Sequence, residues 1–319
     1  MPQHPLLAQA FALSTAGRNP EAILIINQLA GQNEPGALFT LAEMKWRGGM
    51  VTQDLPQARD LYRRAGEAGH KTGAAYYINL LASGTAGPRD WAGALERLGK
   101  EAKGDPRRRE MLSIIKAMDL TPEGDPVSLP PERKLSASPD VTMFPNLFSA
   151  AECDYLRQLC EPGYQPALVA DSSGRFISDP IRTSDASTIH WLIEDPAVHA
   201  LNRRLAAVSG THAEQGEALQ LLRYRPGQQY RNHLDFVRAS ENQRFLTALV
   251  YLNQDYEGGE TCFIPTGLKV KGRKGDAIVF RNTDANRLPD PMSEHAGLPV
   301  TTGTKYLASR WIREKRWLP

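Results

Sequence analysis

Five prolines between residues 119 and 141 divide this chain of 319 residues into two parts with different patterns. Proline fixes the backbone φ angle and removes a hydrogen-bond donor, so this stretch is predicted to be an extended, non-helical linker. No clear strand signal occurs before it, whereas short apolar runs separated by turn signals dominate beyond residue 219. We therefore predict a multidomain α+β protein, with a helical domain over residues 1–118 and a second domain over residues 142–319.

The first part contains an internal repeat with a spacing of 36 residues. Ala22, Ala58 and Ala94 recur at this spacing, as do Asp54 and Asp90. Small residues at matched positions let paired helices pack closely, and a period in the mid-thirties is typical of helix-turn-helix solenoids. About three helix pairs are expected between residues 4 and 118.

The segment ALFTLAEMKWRGGMVTQDLPQARDLYRRAGEAGH, residues 37–70, resembles a Sel1-like repeat, a relative of the tetratricopeptide repeat. The resemblance implies an α-helical solenoid whose concave surface docks a peptide or protein substrate. A scaffold that only supports the second domain is the open alternative.

The second part begins with helix signals and continues with strands. Ser149 and Glu152 have the spacing of a capping box that opens a helix, and a second helix is expected over residues 195–208. Strands are expected over residues 219–224, 245–252, 277–280 and 306–312, with glycine turns at 258–259 and 275. Many short strands with tight turns predict a sandwich or jelly roll.

Composition and charge exclude several classes of protein. No apolar stretch approaches the roughly 18 residues that span a bilayer, so no membrane partner is expected. The first 17 residues are interpreted as a helix rather than a signal peptide, because no Lys or Arg precedes their apolar run and Gln9 interrupts it. Three cysteines give no disulfide framework and predict a reducing, cytoplasmic setting. A net charge of +2 gives no reason to expect a nucleic-acid partner.

A candidate metal site starts in the segment YRPGQQYRNHLDF. Its His233 and Asp235 are two residues apart and would project from the same side of a strand. His295, in SEHAGLPV, is the candidate for a third ligand. Two histidines and one carboxylate form a facial triad that leaves three positions open on an octahedral metal, as an oxygenase requires. A lone His-x-Asp pair is common by chance. The same three residues could instead bind zinc in a hydrolase, but the sequence lacks the HExxH motif that supplies a general-base glutamate.

Residues 142–316 resemble the catalytic domain of prolyl 4-hydroxylases, within the 2-oxoglutarate/Fe(II) dioxygenases. The matching segments, in the expected order, are FPNLFSAAECDYL, IRTSDAST, LQLLRYRPGQQYRNHLD, RFLTALVYLNQDYEGGETCF, KGDAIVF and SEHAGLPVTTGTKYLASRWIR. The resemblance implies a double-stranded β-helix (jelly-roll) with supporting helices. It also implies Fe(II) as cofactor, 2-oxoglutarate and O₂ as co-substrates, and ascorbate as a reductant.

The resemblance further assigns roles to individual residues. His233, Asp235 and His295 match the catalytic iron ligands. Lys305 matches the lysine that binds the distal carboxylate of 2-oxoglutarate, and Thr261 and Tyr224 match positions that hydrogen-bond to it. Tyr230, Arg244 and Trp311 match positions near a peptide substrate.

Each of these assignments has a simpler alternative when the residue is taken alone. Lys305 lies in an apolar strand, where it would be either an exposed edge-strand lysine or the cation that a buried carboxylate needs. Thr261 and Tyr224 are common strand residues, Trp311 suits a core, and Arg244 suits a surface.

The prediction is a dioxygenase that hydroxylates an unactivated C–H bond on a prolyl or other residue of a peptide or protein, with release of succinate and CO₂. The presence of Asp235 favours hydroxylation over halogenation, whereas Glu294 departs from the apolar residue expected before the distal histidine. Two alternatives are open: a hydroxylase of a free amino acid or small molecule, and a non-catalytic repeat-containing binding protein.

Overall fold

The computed structural model describes residues 4–170, 176–237 and 240–317. The chain divides into two compact units, the first comprising residues 1–112 and 191–196 and the second residues 113–190 and 197–319. Within the described residues, no helix combines the length and the apolar character needed to cross a bilayer.

The first unit is built from helices. They are α1 (Pro5–Thr15), α2 (Asn19–Gly31), α3 (Pro35–Arg47), α4 (Leu55–Glu67), α5 (Lys71–Ser83) and α6 (Trp91–Glu101), and α7 (Pro106–Lys116) follows them. Helices α2, α4 and α6 begin at residues 19, 55 and 91, so the spacing of the sequence repeat recurs in the helix starts. The architecture is therefore compatible with helical repeats.

The residues that define the repeat have the same structural position in each copy. Ala22, Ala58 and Ala94 are each the fourth residue of their helix and are buried. Asp54 and Asp90 are the N-caps of α4 and α6, and their carboxylates accept backbone N–H groups of the first turn. The repeat thus reflects where helices begin and where small residues are buried.

A short segment from later in the chain belongs to this first unit. Residues 191–196 were predicted to lie in the second domain, but Leu192 packs in the core of the helical unit. Its carbonyl oxygen accepts a hydrogen bond from Asn79 Nδ2 of α5 at 2.8 Å. A contact between residues so distant in sequence leaves no periodic signal.

The second unit contains two main antiparallel sheets. Its strands are β1 (Arg133–Ala137), β2 (Asp140–Phe144), β3 (Gln165–Pro166), β4 (Val169–Ala170), β5 (Phe176–Ile177), β6 (Asp185–Ile189), β7 (Leu219–Tyr224), β8 (Tyr230–His233), β9 (Arg244–Tyr251), β10 (Tyr256–Gly258), β11 (Thr261–Phe263), β12 (Leu268–Val270), β13 (Ala277–Arg281), β14 (His295–Gly297), β15 (Val300–Gly303) and β16 (Lys305–Arg313). The larger sheet has the order β1-β2-β13-β9-β16-β7-β6-β3, and the smaller has the order β12-β11-β14-β8. Strands β10 and β15 form a separate pair, as do β4 and β5.

Apolar side chains from the two sheets form a shared core. Leu249, Phe280 and Leu307 of the larger sheet belong to the same buried cluster as Phe263 and Val270 of the smaller one. The rings of Phe263 and Phe280 meet edge to face with centroids 5.1 Å apart. Two antiparallel sheets packed face to face confirm the predicted jelly-roll class, and residues from both sheets line one pocket.

The predicted linker differs from the structure at its C-terminal end. Residues 133–144 form the hairpin β1–β2, and β2 pairs with β13 from Phe144↔Ala277 to Val141↔Phe280. The apolar residues Val141 and Phe144 are buried by this pairing. The second unit therefore begins before the predicted boundary at residue 142.

The supporting helices of the second unit are α8 (Ala150–Cys160) and α9 (Pro196–Ser209). The capping box predicted at the start of α8 is present: the Ser149 hydroxyl accepts from the Glu152 backbone N–H, and the Glu152 carboxylate accepts from the Ser149 N–H at 2.7 Å. The Glu152 carboxylate also pairs with Arg204 of α9 at 2.8 Å, which joins the two helices.

Replacing Ser149 by alanine should lower the free energy of unfolding by about 1 kcal/mol, because one backbone N–H of α8 loses its acceptor. Urea unfolding followed by circular dichroism measures the change. The matched control is Ser113→Ala, at an exposed position inside α7, which should change stability by less than about 0.5 kcal/mol. Equal effects of the two substitutions would contradict the capping role.

Candidate active site

His233, Asp235 and His295 converge although the two histidines are far apart in sequence. Strands β8 and β14 are antiparallel neighbours, and their register places His233 directly opposite His295. Asp235 follows the end of β8 and lies 3.7 Å from His233 Nε2 and 3.8 Å from His295 Nε2 through its two carboxylate oxygens. One ligand atom from each residue lies within 4.8 Å of the others, close enough to hold a single metal ion.

Both imidazoles present Nε2 to the centre of this cluster. His233 Nδ1 donates to the Arg231 carbonyl oxygen at 2.7 Å, and His295 Nδ1 donates to that of Ser293 at 3.0 Å. A carbonyl oxygen only accepts, so the proton sits on Nδ1 and the Nε2 lone pair is free for a metal. Burial and the adjacent His295 lower the pKa of His233, which keeps its ring neutral at physiological pH.

The Asp235 carboxylate is oriented by a buried chain of hydrogen bonds. Thr247 Oγ1 donates to Asp235 Oδ2 at 2.7 Å, and Asn282 Nδ2 donates to Thr247 Oγ1 at 2.8 Å. The sequence analysis did not single out Thr247 or Asn282. A polar Thr247 inside the apolar run of β9 was the available signal, because buried hydroxyls need partners.

The donor set fits a divalent iron. Two neutral imidazole nitrogens and one carboxylate oxygen on one side of a metal match the facial triad, with the opposite side open to other ligands. This is also the one cluster of three potential ligands that the described residues contain.

Lys305 is buried in the pocket that adjoins this cluster. It begins β16, pairs with Tyr224 of β7, and its Nζ donates to the Gly259 carbonyl oxygen at 2.7 Å. Gly259 has a φ of +67° in a two-glycine turn, a conformation that side-chain-bearing residues rarely adopt. Because β16 is an interior strand of the larger sheet, the alternative of an exposed edge-strand lysine does not hold.

The environment of the Lys305 ammonium is apolar. Its Nζ lies 5.3 and 5.7 Å from the ring centroids of Tyr224 and Tyr251. Burial lowers the pKa of Lys305 to about 7, and the negative charge of Glu260 opposes this shift only in part. A cation in such a place is suited to receive an anion from outside.

Thr261 and Tyr224 line the same pocket as the three-residue cluster and Lys305. Both are buried, and Thr261 Oγ1 accepts a hydrogen bond from the Tyr251 hydroxyl at 3.2 Å. Burial raises the pKa of Tyr224, so its phenol stays protonated and can donate.

The three residues expected near a substrate line a second cavity of about 360 Å³. This volume lies in the range of roughly 300–1,000 Å³ that ligand sites occupy. Tyr230 stacks on the ring of His233 with centroids 3.5 Å apart, and the Arg244 guanidinium lies 4.0 Å above the Trp311 ring. Arg182, Tyr230 and Trp311 line both cavities, so the second one adjoins the metal cluster. The sequence analysis missed Arg182, although it lies in the quoted segment IRTSDAST.

Comparison with known proteins agrees with this geometry. The family described as "2OG-Fe(II) oxygenase superfamily" matches residues 219–313. Prolyl 4-hydroxylase 1 of Arabidopsis thaliana is 35% identical over 201 residues, which cover 57% of this chain and 71% of that protein. Prolyl 4-hydroxylase 2 of the same plant is 31% identical over 207 residues, which cover 56% and 69%.

A solved structure is also similar. The crystal structure of a viral collagen prolyl hydroxylase from Paramecium bursaria Chlorella virus-1, in its 2OG complex, is 28% identical, with a TM-score of 0.45 over 54% of this chain and 95% of that one. The family model and the plant relatives confirm the resemblance found in the sequence. This chain belongs to the prolyl 4-hydroxylase family of 2-oxoglutarate- and Fe(II)-dependent oxygenases.

Proposed function

We propose that this chain hydroxylates a prolyl residue of a peptide or protein, with consumption of 2-oxoglutarate and O₂ and release of succinate and CO₂. The observation that carries the proposal is that one pocket contains both a three-ligand cluster and a buried lysine. The first would hold the metal, and the second would bind the acidic co-substrate. The plant relatives named as prolyl 4-hydroxylases support the choice of proline.

In this proposal His233, Asp235 and His295 hold Fe(II). Their neutral imidazoles and single carboxylate leave one positive charge uncompensated on the metal, which favours an anionic co-substrate on the open side. When bound, the iron supplies the activation of O₂ that amino-acid side chains lack. The protein contributes a fixed ligand geometry, because Thr247 and two backbone carbonyls orient the three side chains.

Lys305 is proposed to bind the distal carboxylate of 2-oxoglutarate, and Thr261 and Tyr224 to hydrogen-bond to it. Each of the three is buried and faces the pocket that contains the metal cluster. A carboxylate moved out of water costs several kcal/mol unless a cation and hydrogen-bond donors replace its hydration. The ammonium of Lys305 and the phenol of Tyr224 would supply both.

The substrate peptide is proposed to bind in the second cavity, in contact with Tyr230, Arg244 and Trp311. Aromatic rings suit the compact, apolar prolyl ring, and this cavity adjoins the metal cluster. A free amino acid would fill less of this space.

Three further parts of the proposal concern the whole protein. The helical unit would dock part of the protein substrate, as repeat solenoids do, and the regular helix starts support this role. Ascorbate would serve as a reductant. A cytoplasmic location remains a prediction that rests on the sparse cysteines, which form no disulfide within the described residues.

The metal proposal is tested by adding Fe(II) and 2-oxoglutarate to purified protein without O₂. A weak visible charge-transfer band is expected, and admission of O₂ should then yield succinate. His233→Ala should abolish both signals, whereas His212→Ala, which removes an exposed histidine, should retain both. A band of unchanged intensity in His233→Ala would disprove the ligand assignment.

The affinity for 2-oxoglutarate should depend on pH. Because burial lowers the pKa of Lys305 to about 7, the free protein carries a neutral lysine above that pH and must take up a proton to bind the dianion. Affinity should therefore be constant below about pH 6 and fall roughly tenfold per unit above pH 7, until the pKa of the complex is reached. Calorimetry in buffers of different ionisation enthalpy should detect nearly one proton taken up at pH 8.5.

The control for this measurement is Lys305→Arg, whose guanidinium stays charged and should remove the pH dependence. Lys305→Ala should raise the 2-oxoglutarate requirement steeply and spare metal binding. The assignment of Lys305 fails if Lys305→Ala binds 2-oxoglutarate with unchanged affinity.

The hydroxyl of Thr247 should matter for metal affinity. Thr247→Val preserves side-chain shape but removes the donor to Asp235, and Fe(II) affinity should fall by roughly 10–100-fold. Competition with a chromophoric chelator measures the dissociation constant. Thr247→Ser keeps the hydroxyl and should restore most of the affinity; equal affinities for the valine and serine variants would contradict the orienting role.

A further inference from the structure

The second cavity carries more positive than negative charge. Arg182 and Arg244 line it, and Glu217 provides the single carboxylate among the described residues of its lining. That carboxylate is shared, because it accepts from Arg244 Nε and Nη2 at 2.5 and 2.8 Å and from Arg313 Nε at 2.6 Å. One negative charge therefore serves two guanidinium groups at this wall.

Arg182 adds a further positive charge that only neutral groups solvate. Its guanidinium donates to Gln220 Oε1 at 2.7 Å, to the Leu168 carbonyl oxygen at 3.3 Å and to the Ser184 hydroxyl at 3.4 Å. No carboxylate of the described residues lies within ion-pair distance of it. The side chain is buried, so water replaces the missing anion poorly. A buried guanidinium without a counter-ion favours an anion that arrives with a ligand.

The same wall has a hydrogen-bond donor without an acceptor. The indole Nε1 of Trp311 is buried and has no partner within the part of the chain that the structure describes. Guanidinium and indole groups only donate hydrogen bonds, so the wall is matched by a group that only accepts. A carboxylate has this property and also carries the complementary charge.

We propose that the peptide substrate carries an acidic side chain close to the target proline, and that this carboxylate binds at the wall formed by Arg182 and Arg244. The inference rests on the proposed function and specifies its substrate class. Arg182, Tyr230 and Trp311 line both cavities, so the carboxylate and the reacting carbon belong to residues near each other in one peptide. A lysine at the same place would be repelled, because its charge meets two guanidinium groups.

The test uses peptides of one common sequence with a single proline, in which Glu, Gln or Lys is scanned through three positions on either side. The readout is kcat/KM for the +16 Da product, measured by mass spectrometry. At one or more positions the Glu peptide should exceed the Gln peptide about tenfold, and the Lys peptide should be poorest.

Substitutions of Arg244 test whether this wall causes the preference for the Glu peptide. Arg244→Gln leaves Glu217 paired with Arg313 alone and should reduce the Glu-over-Gln preference severalfold, whereas Arg244→Lys keeps the charge and should retain most of it. The matched control is Arg133→Gln. Arg133 is exposed on β1, at the opposite edge of the larger sheet from β3, and its replacement should leave the full preference.

The outcomes separate this inference from the proposed function. Equal kcat/KM for the Glu and Gln peptides at every position would overturn the inference and leave prolyl hydroxylation standing. If no peptide yields product or succinate, the proposed function is contradicted. The inference is then tested by comparing how tightly the Glu and Gln peptides bind. Tryptophan fluorescence of the anaerobic protein with Fe(II) and 2-oxoglutarate reports this binding, since Trp311 and Trp317 line the cavity. Preferential binding of the Glu peptide supports the inference; equal or absent binding overturns it.

Discussion

The antiparallel pairing of β8 with β14 is the constraint on which the site depends. It places His233 opposite His295, and Asp235 lies between the two imidazoles because it follows β8 directly. A shift of one residue in this register would turn one imidazole to the other face of the sheet and separate the ligand atoms. The pairing is stabilised away from the site, by β11 on the far side of β14 and by the core shared between the two sheets.

The site contains a buried acidic and a buried basic group whose charges the ligands would compensate. Among the described residues, the two neutral imidazoles are the only basic groups within 4.0 Å of the buried Asp235 carboxylate, and the buried amino group of Lys305 donates to a single backbone carbonyl. Both arrangements disfavour the folded state relative to well-packed apolar residues. Thr247 and the Gly259 carbonyl hold these two groups in position beside the apolar core that the sheets share.

Much of the second unit could be predicted because its signals are local. Strand β7 begins and ends at the predicted residues, β9 is displaced by one residue, and the capping box of α8 depends on two residues three apart. Of the nine predicted site residues, the three metal ligands were also indicated by residue type and spacing, whereas the other six were located through a family resemblance. Neither alternation nor spacing alone would have separated Lys305 from an edge-strand lysine, since that distinction depends on which strands flank β16.

The features that could not be predicted depend on contacts between distant residues. Three such features have no periodic signature in the sequence. They are the position of Leu192 in the core of the helical unit, the hydrogen-bond chain from Asn282 through Thr247 to Asp235, and the burial of Arg182.

The metal cluster and the wall of the second cavity have different roles in the site. Residues that face the metal determine the type of reaction. The charges on the second cavity wall lie beyond the reacting atoms, so they can change with the substrate while the chemistry stays the same. Selectivity in this chain is therefore best sought at Arg182, Arg244 and Glu217 rather than among the metal ligands.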